Sequence, residues 1–112
     1  MISVVMPVYN MELYLEDAIN SIFSQTYEDY EFIIINDGST DSSLEIIKKY
    51  SKKDKRIIVV SRENKGIIYS LNEGIRLAKG EYIARMDADD ISLAFRFEQQ
   101  LNFIKKNSLD IC

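Results

Sequence analysis

The stretch that decides the fold is FIIINDGSTD, residues 32–41. Its first four residues are apolar and three of them are β-branched isoleucines, which is typical of a buried strand. Turn formers follow, and Ser39, Thr40 and Asp41 suit the N-terminus of a helix. The stretch therefore predicts a buried strand that passes through a polar turn directly into a helix.

The same alternation runs along the whole chain. Apolar runs at residues 2–6, 57–60 and 82–86 predict three further strands. Helical spacing predicts a helix after each strand, with Asn10 capping the first, Gly80 ending the third and Ser92 capping the last. Because apolar strands that alternate with helices require a parallel sheet covered on both faces, the predicted class is α/β. The expected fold is a Rossmann-like three-layer α/β/α arrangement with a mainly parallel sheet.

Size and composition predict one compact domain. The chain has 112 residues, of which 46% are hydrophobic and 29% charged, and this is enough to bury a single core. Its 18 acidic residues outnumber its 14 basic residues, so no nucleic acid partner is expected. The sequence contains no histidine, so carboxylates must carry any acid–base or metal-binding chemistry.

The cysteine content and the hydropathy pattern indicate in which cellular compartment the chain is expected. Cys112 is the one cysteine, so no internal disulfide can form, and a reducing compartment such as the cytoplasm is favoured. The apolar N-terminus lacks the basic region and the cleavage site of a signal peptide. No run approaches the roughly 18 consecutive apolar residues that span a bilayer, so we expect no transmembrane segment in this chain.

Polar clusters follow three of the predicted strands. They are Tyr9-Asn10, Asn36-Asp37-Gly38 and Asp87-Ala88-Asp89. In doubly wound sheets, ligands bind outside the carboxyl ends of the strands, and all three clusters fall there. The sequence therefore predicts that they converge on one rim.

Each cluster has both a functional and a purely structural interpretation. Asp87 and Asp89 are spaced to share a hard divalent ion such as Mg²⁺ or Mn²⁺, but the same residues can cap the next helix in water. Asp37 can accept a hydrogen bond from a base N–H, although Asn, Asp, Gly and Ser are also common turn residues. The Tyr9 ring can stack on a base or simply pack.

The segment after the third strand adds weaker candidates. Arg62 or Lys65 can neutralise a phosphate, Asn64 offers both a donor and an acceptor, and Gly66 permits close backbone approach. A solvated loop with ordinary surface charge is the alternative. No Gly-rich dinucleotide fingerprint and no Walker lysine loop occurs. A receiver domain would need an aspartate after the third strand, where Ser61 stands.

Taken together, these motifs resemble glycosyltransferase family 2, with its GT-A fold, over essentially all of residues 1–112. The motifs that carry the resemblance occur in the family's order and approximate spacing; they are VVMPVYN (4–10), SQTY (24–27), NDGSTD (36–41), NKG (64–66), AKGEYIA (78–84) and DADD (87–90). Two positions depart from the family pattern: Asn36 replaces a first aspartate and Ala94 replaces a proline.

The resemblance implies roles for individual residues. Pro7, Tyr9 and Asp37 help to hold the nucleoside, and Asn64 lies beside it. In the DXD motif, Asp87 approaches the ribose and Asp89 binds the divalent metal, Mn²⁺ or Mg²⁺, that bridges the two phosphates of the donor. Family catalytic domains run to roughly twice this length, so the acceptor-side half and its catalytic base are expected beyond Cys112.

The resulting expectation is a nucleotide-sugar-binding portion of a hexosyltransferase. Its donor would be a UDP-sugar, its acceptor a glycan or a lipid-linked molecule in polysaccharide synthesis, and its stereochemistry inverting. Its location would be cytoplasmic or peripheral at the inner face of a membrane, with a homodimer as an expected assembly through an exposed sheet edge or face. The alternative is a nucleotide-sugar-binding or interaction module without turnover of its own.

Overall fold

The computed structural model describes residues 1–88. Strands and helices alternate as β1 (Ile2–Val8), α1 (Leu15–Phe23), β2 (Tyr30–Asp37), α2 (Ser43–Ser51), β3 (Ile57–Arg62), α3 (Ile67–Leu77) and β4 (Tyr82–Arg85). The predicted strands and first three helices are thus confirmed. The helix predicted to start at Ser92 lies outside the described residues.

The four strands form one parallel sheet in the order β3-β2-β1-β4. The chain first adds strands on one side of β1, as β2 and then β3, and then returns to place β4 on the other side. The strand order therefore reverses at β1, and the loops that leave the carboxyl ends of β1 and its neighbours diverge there.

The sheet is buried on both faces. On one face, Val4, Met6, Phe32 and Ile34 pack with the apolar sides of α1 and α2. On the other face, Val5, Ile33 and Ile35 form a second cluster that includes Leu71 of α3. Every residue of β2 is buried, which is the physical reason that its central residues, 32–35, are apolar on both faces.

Asn10 does not cap α1, so that prediction is wrong. The helix begins at Leu15, and Asn10 has a φ of 50°. Its Oδ1 accepts a hydrogen bond from the Thr40 backbone N–H at 2.8 Å, while the Ser39 hydroxyl accepts one from the Asn10 backbone N–H at 3.1 Å. Asn10 therefore joins the loop after β1 to the loop after β2, through its backbone N–H to Ser39 and through its side chain to Thr40.

Gly80 does not end α3, which stops at Leu77. A β-carbon at Gly80 would lie 2.8 Å from the backbone oxygen of Met1 and 2.8 Å from the backbone nitrogen of Ser3. A glycine is therefore needed for the close approach of the α3–β4 turn to β1. Within residues 1–88, no helix is long and apolar enough to cross a membrane.

We expect Gly74→Ala to destabilise the protein by roughly 1–2 kcal/mol. A β-carbon there would lie 2.3 Å from Cγ1 of Val5, and this overlap outweighs the gain in helix propensity. Urea denaturation measures the loss. In a Val5→Ala background the substitution should cost little, and the exposed Asn72→Ala should cost nothing. Equal stability of Gly74→Ala and the wild type would contradict the close packing of α3 on β1.

Candidate functional site

A cleft of about 400 Å³ opens at the carboxyl edge of the sheet. The residues that line it come from the end of β1, the end of β2, the loop after β3 and the segment after β4. The convergence of strand-end clusters predicted from the sequence is therefore observed. The cleft lies at the point where the strand order reverses, which is the usual ligand position in such sheets.

Five of the six residues predicted to bind ligand line this cleft: Pro7, Tyr9, Asp37, Asn64 and Asp87. The sixth, Asp89, lies outside the described residues. Tyr9 is 47% exposed, whereas Asp37 is 4% exposed. The cleft thus combines an accessible aromatic ring with a buried carboxylate.

Sequence reasoning missed much of the apolar lining. Val8, Met11, Ile67 and Ala88 also face the cleft. Val8 and Ala88 are buried, whereas Ile67 is 49% exposed. Their positions beside the predicted clusters were the only signal in the sequence, because an apolar residue next to a strand end is more often part of the core.

The carboxylate of Asp37 organises one side of the cleft. Its Oδ1 accepts hydrogen bonds from Nη1 of Arg62 at 2.5 Å and from the Lys65 backbone N–H at 2.7 Å. Its Oδ2 accepts one from the Gly66 backbone N–H at 3.0 Å. Burial raises the pKa of Asp37, but the hydrogen bonds from Lys65, Arg62 and Gly66 outweigh it and hold the pKa below its usual value.

Asn64 ties the loop after β3 to the loop after β2. Its Nδ2 donates to the backbone oxygen of Asp37 at 3.1 Å. Gly38 has a φ of 71°, and a β-carbon there would lie 2.5 Å from the Asn64 backbone nitrogen. Only glycine fits between these two loops without displacing one of them.

Arg62 is engaged within the protein, and we assign it no phosphate role. Besides Asp37, its guanidinium donates to Glu73 Oε1, Ser70 Oγ and the Glu63 backbone oxygen at 2.8 to 2.9 Å. Its side chain is 14% exposed. Moving this group to a ligand would leave two carboxylates without their buried counter-charge, which is costly.

The Asp37–Arg62 ion pair could have been predicted from the sequence if the strand register had been known. The two residues end consecutive strands and stand opposite each other in the β2–β3 register. Opposite charges at the ends of neighbouring parallel strands predict such a pair once the register is known.

The Lys65 side chain is more exposed than that of Arg62. Its Nζ lies 3.7 Å from Glu63 Oε1 and 4.7 Å from the centre of the Tyr69 ring.

Asp87 supplies the second carboxylate of the cleft. Its Oδ1 lies 3.3 Å from Nη2 of Arg85, and its side chain is 48% exposed. Carboxylate oxygens suit Mg²⁺ and Mn²⁺. Residues 1–88 contain no group of three histidine, cysteine, aspartate or glutamate side chains placed to hold a metal ion.

Comparison with known proteins identifies the family. The model of Glycosyl transferase family 2 matches residues 3–112. The chain belongs to glycosyltransferase family 2. Among curated relatives of this family 2 chain, an uncharacterized glycosyltransferase of Haemophilus influenzae is 46% identical over 96% of the chain. The minor teichoic acid biosynthesis protein GgaB of Bacillus subtilis is 42% identical over 97% of it.

Solved structures confirm the GT-A fold of this family 2 chain. S. aureus TarS in complex with UDP-GlcNAc matches with a TM-score of 0.86 and 29% identity, over 94% of this chain and 31% of that one. A mannosyltransferase of Pyrobaculum calidifontis in complex with GDP-Man and Mn²⁺ matches with a TM-score of 0.69 and 25% identity, over 79% of this chain and 27% of that one. The chain spans 33% of the Haemophilus relative and 13% of GgaB.

We expect Asp37→Asn to lower stability at neutral pH by about 2–3 kcal/mol, because Arg62 loses its buried counter-charge and keeps only the partly exposed Glu73. The folded pKa of Asp37 is depressed, so its contribution is complete above the unfolded pKa of about 4 and is lost as the pH falls through the folded value. The difference between the two proteins should therefore shrink on acidification below about pH 4.

Denaturant titrations from pH 7 to pH 2 measure this difference. Glu63→Gln is the matched control, since this neighbouring carboxylate is 78% exposed and should change stability little. A constant difference between wild type and Asp37→Asn across the whole range would contradict the ionised, paired state of Asp37.

Proposed function

We propose that this chain is the donor-binding half of a metal-dependent glycosyltransferase that uses a UDP-sugar. The observation that carries the proposal is one cleft, lined by Pro7, Tyr9, Asp37, Asn64 and Asp87 at the strand ends. The similarity to TarS, whose structures hold UDP or UDP-GlcNAc, supports the uridine nucleotide. The hexosyl donor sugar and the glycan or lipid-linked acceptor are part of the same proposal.

The nucleoside would lie between Tyr9 and Asp37. The half-exposed Tyr9 ring offers a face on which a base can stack. Asp37 is held ionised by its hydrogen bonds, so it acts only as an acceptor and suits the N–H of a uracil base. Asn64, fixed by its bond to the Asp37 backbone oxygen, lies beside the base.

The diphosphate would lie toward the segment that follows β4. Asp87 lines the cleft and is our candidate for the ribose, and Asp89 is our candidate for Mn²⁺ or Mg²⁺. The two carboxylates, separated by Ala88, offer the oxygen ligands that these ions prefer. When bound, such a metal offsets the negative charge that develops on a departing nucleoside diphosphate.

Turnover needs groups that the cleft does not supply within residues 1–88. The carboxylates that line it are Asp37, which pairs with Arg62, and Asp87. Because the chain spans only 33% of the Haemophilus influenzae relative, we propose that the catalytic base and the acceptor site lie beyond Cys112 and that displacement inverts the anomeric centre. A cytoplasmic or membrane-peripheral location and a homodimer remain expectations.

A second candidate function is nucleotide-sugar binding without turnover. It is favoured by the length of the match, because the chain spans only 33% of the Haemophilus influenzae relative. Donor hydrolysis and sugar transfer separate the two functions. We expect the 112-residue chain alone to bind UDP-sugar and to show little of either activity.

We expect Tyr9→Ala to weaken UDP binding about tenfold, because one base-stacking contact is worth roughly 1–3 kcal/mol. Isothermal titration calorimetry measures the affinity. Tyr14→Ala is the matched control, since Tyr14 is also exposed, at 55%, but does not line the cleft. Equal losses in the two variants, or no loss in Tyr9→Ala, would rule out Tyr9 as the stacking residue.

Removal of the candidate metal ligand gives a separate test. We expect Mn²⁺ to tighten UDP binding to the wild-type chain by roughly tenfold or more, and Asp89→Ala to abolish this dependence while metal-free binding persists. Asp90→Ala, at the neighbouring aspartate, should keep the dependence. Mn²⁺-dependent binding that survives in Asp89→Ala would refute the assignment.

A further inference from the structure

The acceptor capacity of Asp37 is nearly used up by the protein itself. A carboxylate offers about four lone-pair positions, two on each oxygen. Arg62 Nη1 and the Lys65 backbone N–H occupy both positions on Oδ1, and the Gly66 backbone N–H occupies one on Oδ2. Among the contacts within residues 1–88, one position on Oδ2 remains for a ligand.

Arg62 cannot readily give up its position on Oδ1. Its guanidinium is fixed on the other side by Glu73 and Ser70 of α3. The ring of Tyr69 covers it, with the guanidinium carbon 4.8 Å from the ring centre. A planar guanidinium that donates to several acceptors at once keeps its geometry better than a lysine would. The carboxylate of Asp37 is therefore held in one orientation.

We propose that Arg62 is a positioning residue that selects the nucleotide base. Together with the Lys65 backbone N–H, it fills Oδ1 and leaves Asp37 one acceptor position. A single acceptor suits a base edge with one N–H, such as that of uracil, and disfavours guanine. Guanine presents an N–H and an adjacent amino group, and a carboxylate must use both oxygens to accept from the two. With Oδ1 occupied, the second N–H donor of guanine would be buried without an acceptor. The free-energy cost of that unpaired donor disfavours GDP relative to UDP.

The inference rests on the proposed function, because it assigns the base to the side of the cleft that Asp37 lines. It concerns the choice between a uridine and a guanosine nucleotide, which similarity of fold leaves open. Solved structures that match this chain contain UDP-GlcNAc in one case and GDP-Man in another. In this chain, the hydrogen bonds around Asp37 favour the uridine nucleotide.

The test compares the binding of UDP, GDP and IDP by calorimetry at saturating Mn²⁺. GDP and IDP differ only by the exocyclic amino group, so their ratio reports whether Asp37 accepts from it. We expect the wild-type chain to bind UDP roughly tenfold or more tighter than GDP, and IDP at least as tightly as GDP. These wild-type measurements do not depend on the folding of any variant.

Arg62→Met then removes the donors while it keeps a side chain of similar length. Because the Lys65 backbone N–H still donates to Oδ1, one position on that oxygen becomes free. The affinity for GDP should then rise relative to that for IDP by roughly fivefold or more, and the preference for UDP over GDP should shrink. A merely structural loss would weaken all three ligands equally and leave the ratios unchanged. Arg56→Met is the matched control, since this arginine precedes β3, pairs with Asp54 and is absent from the cleft lining.

Several outcomes would overturn the inference. GDP that binds the wild type much more tightly than IDP would mean that Asp37 accepts from both donors. Failure of both purine nucleotides to bind would mean that the size of the base decides which nucleotide binds. Unchanged affinity ratios among UDP, GDP and IDP in a folded Arg62→Met variant would show that Arg62 does not select the base. Failure of UDP itself to bind the wild-type chain would instead refute the proposed function on which the inference rests.

Discussion

The carboxylate of Asp37 holds three parts of the chain in one place. Asp37 is the last residue of β2. Its carboxylate pairs with Arg62 at the end of β3 and accepts hydrogen bonds from the Lys65 and Gly66 backbone N–H groups just before α3 begins. Arg62 extends the connection into α3 through Glu73 and Ser70. Because a buried charge is costly unless it is fully compensated, this arrangement admits little variation, and one wall of the cleft is fixed before any ligand arrives.

A second set of hydrogen bonds fixes the loop that follows β1. The loop after β1 is joined to the loop after β2 by Asn10 with Thr40, by the Met11 backbone N–H with the Ser43 hydroxyl, and by Glu12 with the Ser42 backbone N–H. Tyr9 precedes this segment directly. The exposed ring therefore follows a strand and precedes a loop that is held to its neighbour, so under the proposed function little ordering would be needed for a base to stack on it.

The two ends of β2 carry buried carboxylates with different partners. At the end away from the cleft, Glu31 accepts from the Ser3 hydroxyl and from the Lys79 backbone N–H, and Ser3 in turn accepts from the Gly80 backbone N–H. This network fixes the turn that leads into β4. Asp37, at the other end, combines backbone donors with a guanidinium and lines the cleft.

The sequence by itself determined the order of strands and helices and the polar clusters at the strand ends, since apolar periodicity and turn residues are local properties. Tertiary structure decided what the polar side chains do. Asn10 bonds to a loop 30 residues away rather than capping its own helix, and Gly80 lies against β1 rather than ending α3. Arg62 faces Asp37 across 25 residues. These pairings follow from the β2–β3 register and the packing of loops, which no local pattern specifies.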